Sequence, residues 1–175
     1  MRKLFFRSCL LACLTISLAG QTDNWKRYAN PAGNFAVLFP GQPQDSVNGS
    51  NDQVQSHTLM ASEGSAVYMV VYSAMSSPQS VDDATYEVFK NAVFKELPKC
   101  AVESEQQPSP ALAGYLGHWY RLGCDMPNAR VMVEGNLYWG RSYAYAVMTM
   151  YPANVNRPQA GQKFLGSFSV LTGAK

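Results

Sequence analysis

The sequence is poor in the residues that most often carry out chemistry. It contains two histidines, His57 and His118, and four cysteines among 175 residues. No group of these residues has the spacing of metal ligands, no serine lies in a G-x-S-x-G elbow, and no glycine-rich phosphate loop is present. Glu103 and Glu105 share one face of a predicted strand, but the sequence marks no cleft around them, and we interpret them as solvated. The sequence therefore predicts a protein that is not an enzyme and has no metal or cofactor.

Charged residues are also scarce, at 15% of the chain against 47% hydrophobic residues. The formal net charge is +2, but Arg2, Lys3 and Arg7 lie in a segment that we expect to be removed. Without these three, eleven basic residues face twelve acidic ones. A nearly neutral domain has no electrostatic footprint for nucleic acid or anionic lipid, so we predict no nucleic-acid partner. The apolar content is sufficient for the core of one domain.

The first nineteen residues have the pattern of an export signal. A basic stretch over residues 1–7 precedes a short apolar run over residues 8–17, and Ser17-Leu18-Ala19 fits a cleavage site after Ala19. The apolar run is too short to cross a bilayer. We therefore predict a signal peptide at 1–19, a single exported domain at 20–175, and a periplasmic or extracellular location. Two alternatives stay open: a buried N-terminal strand or helix, and a lipoprotein anchored through Cys13, because Leu10-Leu11-Ala12-Cys13 resembles a lipobox.

The cysteines divide into two pairs. Cys9 and Cys13 lie in the predicted signal, which leaves Cys100 and Cys124 in the exported domain. An even number of cysteines in an oxidising compartment predicts a disulfide between Cys100 and Cys124. Closing a loop of about 25 residues would stabilise the fold by roughly 3 kcal/mol. The alternative is a pair of buried free thiols.

Hydrophobic periodicity predicts a sheet accompanied by two helices. Residues 130–151 form two apolar runs around a Trp139-Gly140-Arg141-Ser142 corner, which is typical of a central antiparallel hairpin. Further strands are predicted over residues 25–28, 35–39, 52–61, 66–74, 100–106 and 113–124, and residues 42–51 are predicted to form a loop. Residues 81–97 have the spacing of one helical face, and a second helix is predicted to begin at Asn156. The predicted fold is α+β, with a central antiparallel sheet flanked by helices in an α/β/α sandwich.

Several of these segments resemble the PsbP/Mog-like superfamily, including the DcrB-type bacterial envelope proteins. The resemblance depends on these features, in chain order: Trp25 and Tyr28, the run from Gly33 to Pro43, a strand with Tyr68 and Tyr72, a helix after Val81, the residues Arg141, Tyr143 and Tyr145, and the closing run from Lys163 to Phe168. It implies an antiparallel sheet between helices and, because members of that group are mostly non-enzymatic, a protein without catalytic activity. No binding residue of the family can be matched to this sequence.

Aromatic side chains near the central hairpin are the remaining candidate site. Trp139, Tyr143, Tyr145 and Tyr151 lie on or beside it. They are interpreted either as a binding face, which stacks on a sugar or peptide or forms an interface hot spot, or as a sheet face packed under a helix. We therefore expect an exported, non-catalytic module that binds another envelope protein or assists assembly, with a small-ligand (sugar or peptide) binding domain as the alternative.

Overall fold

The computed structural model describes residues 25–48, 55–97, 99–108, 110–155 and 159–171. The predicted signal peptide at 1–19 and Cys13 lie outside this part of the chain. The described strands are β1 (Lys26–Asn30), β2 (Phe35–Phe39), β3 (Gln44–Asn48), β4 (Ser56–Glu63), β5 (Ala66–Ala74), β6 (Cys100–Gln106), β7 (Tyr115–Met126), β8 (Ala129–Gly140), β9 (Tyr143–Pro152) and β10 (Ser169–Val170). The described helices are α1 (Asp83–Lys95) and α2 (Gln159–Ser167).

Most of the strands belong to one antiparallel sheet of seven strands, in the order β3-β4-β5-β9-β8-β7-β6. The predicted hairpin of residues 130–151 is β8 and β9, and it lies at the centre of this sheet as expected. The edge of the seven-stranded sheet at β6 is irregular, with a register shift between Val102 and Ser104 in the pairing of β6 with β7. A disulfide between Cys100 and Cys124 ties β6 to β7, which confirms the predicted pairing.

One face of the large sheet, here called the α2 face, is covered by the three-stranded sheet β1-β2-β10 and by α2. Strand β2 is buried on both of its sides, because Phe35, Ala36, Val37 and Phe39 are all inaccessible to solvent. Rings from both layers meet there. The Phe39 ring lies 5.2 Å from that of Phe164 on α2. The main aromatic core therefore lies between the two sheets.

The opposite face of the large sheet, here called the α1 face, carries α1. This helix begins at Asp82, whose carboxylate accepts a hydrogen bond from the backbone N–H of Thr85 while the Thr85 hydroxyl accepts one from the Asp82 backbone N–H. The two bonds form a capping box that satisfies amide groups with no partner inside the helix. Two aromatic residues of α1 fix it to the sheet: the Phe89 ring lies 5.4 Å from Trp139 on β8, and the Phe94 ring 5.1 Å from Tyr120 on β7. Helix α1 therefore packs on the β7–β8 half of this face.

The predicted α/β/α sandwich is wrong. The described chain is mostly β, with sheets of three and seven antiparallel strands and two helices, and it is not a sheet flanked by helical layers. The physical reason lies in β2. Its run of apolar residues was assigned to a single central sheet, whereas a strand buried on both sides can equally lie inside a second sheet stacked on the first. The covering layer on the α2 face is therefore largely strand.

Local boundaries also differ from the predictions. Residues 44–48 were predicted as part of a loop, but they form β3, which pairs with β4 along its whole length. Helix α1 is shorter than the predicted 81–97 segment, because its capping box places the start of the helix at Asp82 and its last helical residue is Lys95. Helix α2 is described from Gln159, so the predicted start at Asn156 lies outside the described residues.

Candidate functional site

Three of the four aromatic residues predicted as a binding face lie on the α2 face, and two of these are inaccessible. Tyr145 is 0% exposed, and its hydroxyl donates a hydrogen bond of 2.9 Å to the backbone carbonyl of Gly33. Tyr151 is 2% exposed, and its hydroxyl donates one of 2.7 Å to Glu134 Oε1. Tyr143 is half-buried at the start of β9, with its ring stacked 6.0 Å from that of Tyr145. Tyr145 and Tyr151 are therefore core residues with satisfied hydroxyl groups.

The fourth residue, Trp139, lies on the opposite face of the sheet. It is paired with Ala144 across the β8–β9 hairpin, so its side chain shares the α1 face with that alanine. Its ring contacts Phe89, and its Nε1 donates a hydrogen bond of 2.7 Å to the carbonyl of Ser80. The structure therefore does not bring the four aromatic residues together on one surface, and Trp139 serves to fix α1 and the segment before it.

Burial keeps the core tyrosines protonated. Desolvation raises the pKa of Tyr68 to about 12, with a smaller contribution from the charge of Glu63, and burial raises the pKa of Tyr86 to about 12. The pKa of Tyr145 is raised still further, chiefly by burial and then by its hydrogen bond with Tyr115. A phenol with a raised pKa stays neutral at physiological pH, so none of these hydroxyl groups is an activated nucleophile.

The two histidines lie apart and each contacts one carboxylate. His118 Nδ1 lies 2.7 Å from Glu105 Oε1, and the Tyr120 hydroxyl donates to the same oxygen at 3.0 Å. The Tyr86 hydroxyl in turn donates to that of Tyr120 at 3.2 Å, which links α1 to β6 and β7. His57 lies 3.7 Å from Asp45. Across the described residues, no group of three histidine, cysteine or acidic side chains is placed to hold a metal ion.

A buried carboxylate on the α2 face belongs to a chain of ion pairs. Glu134 is 1% exposed, and its Oε1 lies 3.8 Å from Arg121 Nε. Arg121 also lies 3.6 Å from Glu103, and Glu103 receives a 2.7 Å hydrogen bond from Arg130. A buried charge is costly unless it is paired and hydrogen-bonded, and Glu134 has the Tyr151 hydroxyl as well as Arg121. We interpret this series of ion pairs as structural, since α2 packs over the same face.

A group of apolar side chains beyond α1 is the surface that sequence reasoning missed. Met60 on β4, Val67, Met69 and Val71 on β5, and Met150 on β9 are all half-buried on the α1 face, next to the more buried Met148. We call these six residues the methionine patch. Helix α1 packs on β7 and β8 and lies beside Met148, which lines the space beneath the helix together with Phe94, and α2 packs on the other face. The other five residues of the patch are left half-buried. The alternation of Met148 and Met150 was visible in the sequence, but the alignment of Met60 and Met69 with them depends on strand order.

The space beneath α1 is too small for a ligand. Phe94, Tyr120, Gly135 and Met148 line part of a cavity of about 10 Å³. A single water molecule needs at least roughly that volume. Gly135 allows this close packing, because a Cβ atom at this position would lie 2.5 Å from the carbonyl oxygen of Val147. The cavity therefore offers no small-molecule site, and the methionine patch is the candidate functional surface.

No family model matches the sequence, and no curated protein matches it. The resemblance to the PsbP/Mog-like superfamily therefore stays a prediction. The described residues include no helix that is long and apolar enough to cross a membrane. The disulfide between Cys100 and Cys124 is compatible with export.

Proposed function

We propose that this chain is an exported, non-catalytic protein-binding module, and that its partner binds at the methionine patch. The observation that carries the proposal is that one half of the α1 face is packed under α1, whereas the other half presents half-buried methionine and valine side chains. Contiguous apolar patches of this kind mark interaction sites in soluble proteins. Export is supported by the signal pattern at residues 1–19 and by the disulfide.

The chemistry of the patch favours an amphipathic helix of an envelope protein as the partner. Helix α1 shows how a helix packs on this face, since its Phe89 and Phe94 pack on Trp139 and Tyr120 of the neighbouring strands β8 and β7. A second helix laid beside α1 would bury the patch in the same way. Methionine suits such a surface, because its unbranched side chain adapts to different partner shapes. The patch side chains have no charge, which favours an apolar helix face over a charged peptide.

The proposal does not include catalysis or a stacked sugar. Each histidine is paired with a carboxylate, His57 with Asp45 and His118 with Glu105. Tyr145 and Tyr151 are buried, so their rings are not available for stacking on a sugar. We therefore do not carry the aromatic ligand-binding alternative forward.

Site-specific photo-crosslinking tests the proposal. A photo-crosslinking amino acid would replace Val71 in the patch or, as a matched control, Val88 on α1, which is 72% exposed. We expect a discrete protein adduct in the native envelope from position 71 and none from position 88, and we expect Met69→Lys to abolish it while the fold is retained by circular dichroism. Absence of an adduct at position 71, or the same adducts from both positions, would contradict the proposal. An adduct of twice the mass of this chain would identify the partner as a second copy.

A further inference from the structure

The register of the large sheet places Met69 between two other methionines. On β4 the residue directly opposite is Met60, and on β9 it is Met148. Directly paired residues project from the same face, and neighbouring strands lie about 4.8 Å apart, so three thioethers lie in one row across three strands. Met150 lies two residues further along β9, on the same face and diagonally opposite Met69. Four of the eight methionines of the chain therefore converge on one small area.

The donor atoms of this row are of one chemical kind. Thioether sulfur is a soft, neutral ligand that favours Cu(I) among biological metals, whereas Ca²⁺ and Mg²⁺ require oxygen ligands. The residues two positions away from Met69 on β5 are Val67 and Val71, and those two positions away from Met60 on β4 are Thr58 and Ser62. None of these neighbours is a carboxylate, an imidazole or a thiol. These four neighbours thus provide no anionic ligand for a hard cation, and the oxygen donors among them are the neutral hydroxyl groups of Thr58 and Ser62.

We propose that Met60, Met69 and Met148, with Met150 beside them, form a binding site for a soft monovalent metal ion, Cu(I) or its analogue Ag(I). Met60, Met69 and Met150 are half-buried, so solvent reaches the row, and Met148 is 5% exposed below it. The Met148 Cγ atom packs over Gly135. Because the methionine side chain is unbranched with three rotatable bonds, its sulfur can turn toward Met69 without movement of the strand.

This inference does not rest on the proposed partner. Metal binding is measured on the chain alone, whereas crosslinking detects a protein in the envelope, so either result can fail without the other. The proposed metal ion and the proposed partner would bind the same surface, and a bound ion would hold the thioether side chains in one arrangement. The metal ion would therefore set the shape that a partner meets.

Titration with Ag(I) tests the site. The probe is silver nitrate in a chloride-free buffer, added to the full chain with its Cys100–Cys124 disulfide intact and with Cys9 and Cys13 alkylated to remove their thiols. The methionine methyl groups carry ¹³C, so all eight are observed separately by NMR. We expect one equivalent of Ag(I) to shift the methyl signals of the four patch methionines and to leave those of Met75, Met126 and Met132 in place.

Paired leucine substitutions identify the ligands. Met69→Leu conserves side-chain volume and removes the central sulfur, and Met132→Leu is the matched control on the opposite face. We expect Met69→Leu to weaken Ag(I) binding by roughly tenfold or more and the control to leave it unchanged. Met60→Leu, at a half-buried position, repeats the test if the first variant is unstable. Shifts spread over all methionines, Ag(I) binding that shifts none of the patch methionines, or unchanged affinity in both patch variants would overturn the proposal.

Discussion

Replacing Tyr145 with phenylalanine removes one hydroxyl group from the centre of the α2-face core. That hydroxyl donates a 2.9 Å hydrogen bond to the carbonyl of Gly33, in the turn between β1 and β2, and the residue is 0% exposed. The substitution leaves the Gly33 carbonyl without this donor, and loss of a buried partner costs about 1–3 kcal/mol. The three-stranded sheet would thus lose one of its polar ties to the large sheet.

The ring of Tyr145 contributes separately from its hydroxyl. It lies 5.2 Å from Phe168, 5.6 Å from Tyr115 and 5.9 Å from Phe35. Tyr145→Ala would remove these three contacts and the stacking with Tyr143 and would leave a cavity, for which we expect a loss of about 3–5 kcal/mol. The difference between the two substitutions therefore measures ring packing alone. Tyr143→Phe, at a half-buried position, is the matched control and should change stability by less than about 0.5 kcal/mol.

Urea denaturation followed by circular dichroism measures these differences. We expect Tyr145→Phe to lower the midpoint by roughly 1 M with an unchanged slope. A folded Tyr145→Phe protein with the stability of the parent chain would refute the reasoning, because it would show that the hydroxyl group makes no buried hydrogen bond. Loss of a binding partner together with unchanged stability would favour the interpretation of Tyr145 as part of a binding face over its interpretation as a packed residue.

Two further predictions concern the disulfide and the tyrosines. The double substitution Cys100→Ala and Cys124→Ala should lower the free energy of unfolding by roughly 3 kcal/mol, since the disulfide closes a loop with a sequence separation of 24. As a control, reduction of the disulfide in the parent chain should cause an equal loss. Equal stability of the variant and the oxidised parent chain in urea would contradict the loop-closure argument. Stability should also fall as the pH rises from 10 to about 12, because the unfolded chain releases phenolic protons near pH 10 while burial holds the pKa of Tyr68 and Tyr86 at about 12. Tyrosinate absorbance at 295 nm should accompany the loss of circular dichroism, and full ionisation in a folded chain would disprove the burial argument.

The strands and the disulfide were accessible to sequence reasoning because their signals are local. The apolar run of β5 and the alternation in β9 predicted strands that the structure confirms, and cysteine parity predicted the bond between Cys100 and Cys124. The layer arrangement was not accessible in this way. Whether β2 joins the large sheet or forms a second one depends on its pairing with β1 and β10, and β10 lies more than a hundred residues away.

The candidate surfaces illustrate the same limit at the level of single residues. Trp139 was grouped with Tyr143 and Tyr145 because they are close in sequence. In the hairpin, however, Trp139 pairs with Ala144, which places the tryptophan on the face opposite to the two tyrosines. A shift of one residue in register reverses every side chain of a strand, and the corner sequence did not fix that register. The methionine row could not be predicted without the strand order as well, because β5 and β9 become neighbours only in the folded sheet.

The contrast between the two faces of the large sheet supports a functional interpretation of the patch. On the α2 face, aromatic residues with fixed ring contacts fill the space between two sheets, which is how a sequence specifies one rigid core. On the α1 face the helix covers only part of the surface, and the remainder is rich in methionine. Leucine or isoleucine would pack such a surface more specifically, since methionine is the more flexible side chain. Methionine at Met60, Met69 and Met148 in one register suits both adaptable contact and soft-metal binding. The leucine variants separate the two, because leucine retains the apolar area and removes the sulfur.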